Sequence, residues 1–485
     1  MIDRIRHGSL RPLIALCLIL IPRPCICLGE KALDLGSRRE PIVDRYLFDR
    51  LDRVSLMLER PRDEGVVLRF DRPWEGAFCA YATVIRDGPL FRLYYRGLPQ
   101  SGRDGSDTEV TCYAESRDGI NWIKPDLDQF AVGGSRANNV VLAGQPPFSH
   151  NFSPMIDERP GVPRPERYKA LAGTSQTGLV AFVSGDGLRW RKLSDRAVIP
   201  RGGLDSQNVA FWSGRDGRYL CFLRVNPGGI RRIARSTSTD FLNWTEPELM
   251  SYGDRPVEHL YTNQTSPYFR APHIDLGIAA RFFPGKQVLS ADQARAIGVD
   301  PDYFRDCSDA VLITSRGGTT YDRTFMEGFL IPGIGPENWV SRTNYPARNL
   351  VQTGPNEMSF YVNQNYGQPT SHLRRYSLRL DGFACVRAGY DGGEVLTHPL
   401  RFSGRVLRLN FATSAGGEVR VELHDEGGKP IPGFQLAECE PIIGNEIDRV
   451  VRWRSGSDLS ALSDKAVRLR ISLKDASLYA LQFGS

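Results

Sequence analysis

Three carboxylates stand at the edges of apolar, strand-like runs. Glu75 closes Phe70-Asp-Arg-Pro-Trp-Glu75, just before Ala77-Phe-Cys-Ala-Tyr-Ala-Thr-Val-Ile85. Asp205 lies in Gly203-Leu-Asp-Ser-Gln207, ahead of Asn208-Val-Ala-Phe-Trp212. Asp309 leads into Ala310-Val-Leu-Ile313. Two carboxyl groups on either side of a bond to oxygen can cleave it. One protonates the leaving oxygen; the other attacks or activates water. Each carboxylate also has a structural reading. Glu75 could cap a turn or pair with Arg72, Asp205 could form a turn, and Asp309 could open a strand through its own backbone contacts. Asp71 is a further carboxylate close to Glu75.

Other chemistries lose support. The chain has no HExxH, GxSxG or phosphate-binding P-loop, and no GxGxxG after a strand. The seven histidines are scattered, and His150 with His372 is a weak metal signal. No C-x-x-C pair exists, so a zinc ribbon or thioredoxin-type site is not expected. Neither a metal nor another cofactor is expected.

The elements that must position these groups follow from a repeat. Ser116-Arg-Asp-Gly-Ile-Asn-Trp122 recurs as Ser184-Gly-Asp-Gly-Leu-Arg-Trp190 and as Ser238-Thr-Asp-Phe-Leu-Asn-Trp244. Weaker echoes are Ile313–Tyr321 and Tyr376–Phe383. Asp-Gly supplies the positive backbone angles of a tight turn, and Ser or Asp can bond the turn backbone. The aromatic residue then packs back on the strands, so Trp122, Trp190 and Trp244 read as structural. Each phrase follows an alternating apolar run, and the spacing allows four short strands per unit. This predicts an all-β chain: a five-bladed β-propeller followed by a C-terminal β-sandwich. Period-two runs such as Val406-Leu-Arg-Leu-Asn-Phe411 and Val467-Arg-Leu-Arg-Ile-Ser-Leu473 mark the sandwich. The expected limits are 1–29 for an export signal, 40–393 for the propeller and 394–485 for the sandwich. An insertion at Ser290–Phe304 reads as helical.

The repeat and the two-domain layout resemble glycosidases of the invertase, levansucrase and arabinanase group (glycoside hydrolase families 32, 68 and 43). The resemblance covers residues from about 40 to the end, while the invertase W-x-N-D-P-N-G motif is absent. In such propellers each innermost strand starts at the mouth of a central funnel. The resemblance therefore implies a carbohydrate substrate and a glycosidase, with Glu75, Asp205 and Asp309 as the catalytic candidates. Substrate-binding candidates are Asp71, Trp74, Arg96, Asn151, Gln207, Asn208, Tyr261, Asn263, Arg342, Tyr345, Tyr366 and His372. Trp74, Tyr261, Tyr345 and Tyr366 could stack on sugar faces. Arg342 could bind an anionic sugar or pair with a carboxylate. Two other readings stay open: a non-catalytic carbohydrate-binding propeller, and a sialidase-like enzyme with an arginine cluster and a tyrosine nucleophile.

The formal net charge of +6 over 485 residues is mild, with no basic run of the kind nucleic acid requires. Arg4, Arg6 and Arg11 precede the apolar run Leu13–Ile21. That run is far short of the ~20 residues a membrane span needs and suits a signal peptide, so a secreted or periplasmic protein without a membrane span is expected.

Overall fold

The computed structural model describes residues 31–485. The export-signal reading of residues 1–29 lies outside them. Five small antiparallel sheets form the propeller arrangement. Blade one contains Ala80–Asp87, Leu90–Gly97, Val110–Ser116 and Val140–Leu142. Blade two contains Ser153–Ile156, Tyr168–Ala172, Val180–Ser184 and Arg191–Lys192. Blade three contains Val209–Ser213, Arg218–Val225, Arg232–Ser238 and Glu248–Leu249.

In blades four and five the innermost edge is split. Leu260–Thr262 and Ser266–Tyr268 both pair with Ala271–Phe283, which then pairs with Cys307–Ser315. Tyr345–Pro346 and Val351–Gln352 both pair with Glu357–Gln364. Blade five continues through His372–Arg379 and takes its outer strand, Arg62–Arg69, from upstream of blade one. That exchange fastens the two ends of the ring and leaves no open seam.

The inner blade strands are buried on both faces; every residue of Tyr168–Ala172 and of Val180–Ser184 is buried, while the outer strand Glu248–Leu249 is exposed. The repeated phrase is a turn in all three copies. The Oγ atoms of Ser116, Ser184 and Ser238 each accept from the backbone N–H of Gly119, Gly187 and Phe241 at 2.9 Å. Those three residues have φ of 73°, 75° and 68°. Gly suits this angle; Phe241 adopts it because its ring is fully buried in the core of blades two to four. The Asp two residues after each Ser accepts two further backbone N–H groups, as in Ile120 and Asn121 to Asp118, both 2.8 Å.

Burial raises the Asp240 carboxyl, but hydrogen bonds from the Asn243 and Leu242 backbone and from the Asn243 and Ser238 side chains hold it at about 2. Asp118 and Asp186 are lowered by the same geometry. A depressed folded-state pKa gives stability that is present above the unfolded value of about 4 and lost as pH falls. Asp118→Ala and Asp240→Ala should each cost about 1 kcal/mol at neutral pH, by analogy with lost helix caps. The loss should shrink towards pH 2 in denaturant titrations, and a constant difference across that range would refute the account.

The carboxy-terminal strands belong to one ten-stranded sheet. In Val406–Asp425, Leu407, Leu409 and Phe411 are fully buried, while Val406 and Arg408 are not, as period two requires. The sheet also takes Leu33–Gly36, Arg39–Pro41, Phe48–Asp52 and Val54–Leu58 from the amino-terminal side, and Ala384–Ala388. Four of its strands thus precede the ring in sequence, and Phe48–Asp52, Val54–Leu58 and Ala384–Ala388 lie inside residues 40–393, the segment expected to be propeller. These long-range pairings leave no local composition signal. The insertion at 290–304 contains one short helix, Ala291–Ala296, opened by a Ser290–Gln293 capping box and followed by Gly298 at φ 70°.

Candidate functional site

The innermost strands begin at one end of the ring, and two of them begin with a β-bulge. In blade one the pairing moves from Ala80 with Arg96 to Thr83 with Tyr94, leaving an extra residue, and Tyr81 has φ 55°. In blade four Leu260 pairs with Arg281 but Thr262 pairs with Ala280, so Tyr261 is the extra residue. A bulge re-aims the side chain it carries. Arg342 and Asn344, at φ 56° and 67°, lead into Tyr345 at the start of blade five. A non-glycine residue in the left-handed region costs of order 1–3 kcal/mol and persists only where its surroundings hold it. Tyr81 and Arg342, both bulky, meet at this one mouth.

Tyr261 is the centre of the cluster. The guanidinium carbons of Arg224, Arg231 and Arg342 lie 4.9, 5.2 and 5.6 Å from its ring centre. Tyr345 packs against it at 5.1 Å between centroids. Arg342 also covers Tyr303, at 4.8 Å, and Tyr366, at 5.8 Å. Tyr303 comes from the blade-four insertion, so that insertion forms one wall of the mouth. Burial alone would push the Tyr261 phenol up. The Arg342 and Arg224 charges, with hydrogen bonding from Tyr81 and Arg224, outweigh it and draw the group down to about 8. Tyr81, with burial dominant, is raised.

Asp205 sits on the rim, with its side chain 51% exposed. The Ser175 backbone N–H and hydroxyl donate to its carboxylate at 3.2 and 3.0 Å, and Arg224 Nη2 lies 3.9 Å away. The Tyr81 hydroxyl lies 3.4 Å from the Asp205 backbone oxygen. Asp205 therefore borders the Tyr261 cluster through Arg224 and Tyr81.

Arg96 forms a second part of the mouth. It donates to the Phe78 carbonyl and the Tyr366 hydroxyl, both at 2.9 Å, and lies over the Tyr81 ring at 5.0 Å. Asp104, Glu109 and His150 converge beside it, in a group whose ligand atoms could surround a metal ion. Arg96 already supplies positive charge there, 3.7 Å from Asp104, 3.6 Å from Glu109 and 3.1 Å from His150 Nδ1. The same Nδ1 lies 2.8 Å from Glu109. A ring N–H donating to that carboxylate pairs His150 with Glu109 Oε1, while Glu109 Oε2 is buried without a hydrogen-bond partner and Arg96 is the counter-ion.

Of the sequence candidates, the mouth thus gathers Arg96, Asp205, Tyr261, Arg342, Tyr345 and Tyr366. Others serve the scaffold. The Asn151 amide donates to the carbonyls of Gly173, Leu204 and Ser206 at 2.7–2.8 Å. Asn208 donates to the carbonyls of Leu204 and Ser206, and Asn263 to that of Phe222. Gln207 donates to Thr83 Oγ1 at 2.7 Å and accepts from Gln264 at 2.8 Å. Below them the buried Arg348 donates to the carbonyls of Pro154 and Ala210. These buried groups lie in the shaft below the mouth.

The remaining candidates are held elsewhere. Glu75 is fully buried; it accepts from Tyr95 at 2.5 Å, from Lys124 at 2.6 Å and from the Arg72 backbone at 3.0 Å. Lys124 also holds Asp71 at 2.9 Å, and Trp74 donates to Asn139 at 2.9 Å. Asp309 makes a two-pronged pair with Arg281, at 2.9 and 2.6 Å, as cross-strand neighbours in blade four. His372 is buried at the edge of blade five, where burial lowers its pKa. Tyr81, Arg231 and Tyr303 were not singled out from sequence. Arg224 had a signal: like Arg96, it ends an apolar second blade strand, in Tyr219-Leu-Cys-Phe-Leu-Arg224 and Phe91-Arg-Leu-Tyr-Tyr-Arg96.

A cleft of about 400 Å³ opens at the other end of the shaft, lined by Met155, Phe211, Trp212, Tyr268 and Phe269 among others. It has Arg86 and Glu158 at its edge but no converging set of reactive groups. Among the described residues no helix is long and apolar enough to cross a membrane. The six described cysteines are buried and unpaired.

No family model matches the chain, and no curated protein matches it. Solved structures do. One described as a glycoside hydrolase is 8% identical, covering 66% of this chain and 92% of its own, with a TM-score of 0.44. An N-acetylgalactosamine deacetylase from F. plautii, in complex with blood group B trisaccharide, is 12% identical over 68% and 96%, with a TM-score of 0.43. A third comes from work on a family of mannoside phosphorylases that contains glycoside hydrolases targeting β-1,2 mannosidic linkages in Candida mannan. It is 15% identical over 67% and 94%, with a TM-score of 0.39. Likenesses at this level assign no role to any residue of this chain.

Proposed function

We propose that this chain is a carbohydrate-active propeller that hydrolyses a glycosidic bond at its mouth, with Tyr261 as nucleophile and Asp205 as acid and base. The observation that carries the reading is Tyr261 itself: one phenol on a bulge, among three guanidiniums, drawn toward ionisation. The phenolate oxygen attacks the anomeric carbon while Asp205 protonates the leaving oxygen. Water, giving its proton to Asp205, then attacks the same carbon and releases the phenolate. This is the tyrosine-and-arginine form of glycosidase chemistry, in place of the carboxylate pair that the invertase-group resemblance implies. We assign Glu75, Asp71 and Asp309 to the scaffold, because Lys124 and Arg281 hold their carboxylates. Asp205, half exposed, borders the Tyr261 cluster through Arg224, and its lack of a partner carboxylate beside it among the described residues also favours a second reading: a funnel that binds saccharide without cleaving it. Export through residues 1–29 and a sandwich built on the ten-stranded sheet belong to the same proposal.

The test is turnover of a glycan panel by the purified protein. For an activated aryl glycoside, whose leaving group needs no proton from Asp205, kcat/KM should rise with pH toward about 8, because the attacking form of Tyr261 is the deprotonated one. Arg342→Met removes a charge that lowers this pKa, so it should move the rise to higher pH. A profile that is flat from pH 6 to 9, or unmoved in the variant, would remove Tyr261 as the nucleophile.

A further inference from the structure

Arg231 and Arg342 differ from the other mouth arginines in what they lack. Arg224 donates to the Gly203 carbonyl at 2.7 Å and approaches Asp205; Arg96 has Glu109, Asp104, Phe78 and Tyr366. The guanidinium groups of Arg231 and Arg342 have aromatic neighbours but no carboxylate and no hydrogen-bond acceptor among the described residues. Arg231 lies over Tyr261 and Phe282, at 5.2 and 4.8 Å. Arg342 lies over Tyr261, Tyr303 and Tyr366. Both are partly buried. A guanidinium presents five N–H donors and is rarely buried without an acceptor. Elsewhere in this chain the partly buried Arg281 and Arg316 and the buried Arg375 each hold two carboxylates.

We infer that the saccharide bound at this mouth carries an anionic group, a carboxylate or a sulfate, seated between Arg231 and Arg342 beside Tyr261. The inference rests on the mouth being a saccharide site and adds the class of sugar. Two oxygens of a carboxylate or a sulfate match the guanidinium fork, and the aromatic walls exclude the water that would otherwise screen the pair. A neutral sugar needs hydrogen-bond donors and acceptors but no surplus of fixed positive charge. The phenolate of Tyr261 is the competing explanation for that surplus, and it can be separated by removing its oxygen. The other ionisable groups facing the pair are Tyr81, Tyr345 and His259, none an acid at neutral pH.

The experiment is calorimetric titration of the full chain with D-glucuronate, glucose 6-sulfate and glucose at one fixed ionic strength, since salt screens such contacts. At least one of the two acidic sugars should bind at least tenfold more tightly than glucose, and their order tells carboxylate from sulfate. Arg342→Met and Arg231→Met should each weaken that binding at least tenfold, Arg342→Lys less. The distant surface variant Lys465→Met should leave it intact. Circular dichroism confirms that each variant is folded, and the second arginine decides if one fails. Equal binding of glucose and both acidic sugars by the wild-type chain overturns the inference, as does acidic-sugar binding that appears only in Tyr261→Phe, where the arginines have lost the phenolate. Turnover of a neutral glycan without acidic-sugar binding would leave the hydrolase standing and this inference refuted. Acidic-sugar binding without turnover would do the reverse.

Discussion

Tyr261→Phe should remove turnover by about 10³-fold or more while leaving the protein folded, as expected when a covalent nucleophile is lost. The substitution keeps the ring that Arg224, Arg231 and Arg342 surround and deletes only the oxygen. The bulge at Leu260–Thr262 and the packing against Tyr345 and Phe282 do not depend on that oxygen. Asp205→Asn keeps the contacts with Ser175 but cannot carry the proton, so a loss of about 10²–10⁴-fold is expected. A good leaving group should relieve part of the Asp205→Asn defect and none of the Tyr261→Phe defect, because only the acid acts on the leaving oxygen. Rates on the identified glycan, with an activated aryl glycoside as the comparison, check both. Near-normal turnover in Tyr261→Phe would end the nucleophile assignment.

Glu75→Ala should destabilise the fold by about 3–5 kcal/mol, the cost of breaking a buried ion pair by removing one partner. Lys124 is 9% exposed and would keep only the partly exposed Asp71 as a counter-charge. Tyr95 and the Arg72 backbone N–H would also lose their acceptor. The strut joins the entry of blade one to its second strand and to Lys124 beyond its third, so the loss should appear as a lower denaturation midpoint. Turnover per folded molecule should be unchanged. A variant of normal stability with no turnover would instead return Glu75 to the reacting pair.

Local chemistry is what the sequence determined. The Ser-x-Asp turns, the period-two burial of Val406–Asp425 and the capped helix at Ala291 depend on residues a few positions apart, and their signals survive in a linear reading. Three such turns with apolar runs between them imply repeated small sheets, and hence a ring. Five mouth candidates besides Tyr261 also converge, because the starts of the innermost strands and the ends of the second strands are positions that repetition predicts. Carboxylate assignment did not follow, since whether Glu75 or Asp309 is free depends on Lys124, 49 residues away, and Arg281, 28 residues away. A carboxylate before a strand looks the same in sequence whether it faces solvent or a buried cation. Tertiary structure alone decided the rest. Tyr81 and Tyr261 reach the mouth because single-residue bulges redirect them, and Tyr303 because an insertion folds over the rim. The strands at 33–58 join the carboxy-terminal sheet for a related reason: hydrogen-bond pairing over more than 300 residues depends on where the closed ring brings the chain ends, not on any neighbouring residue.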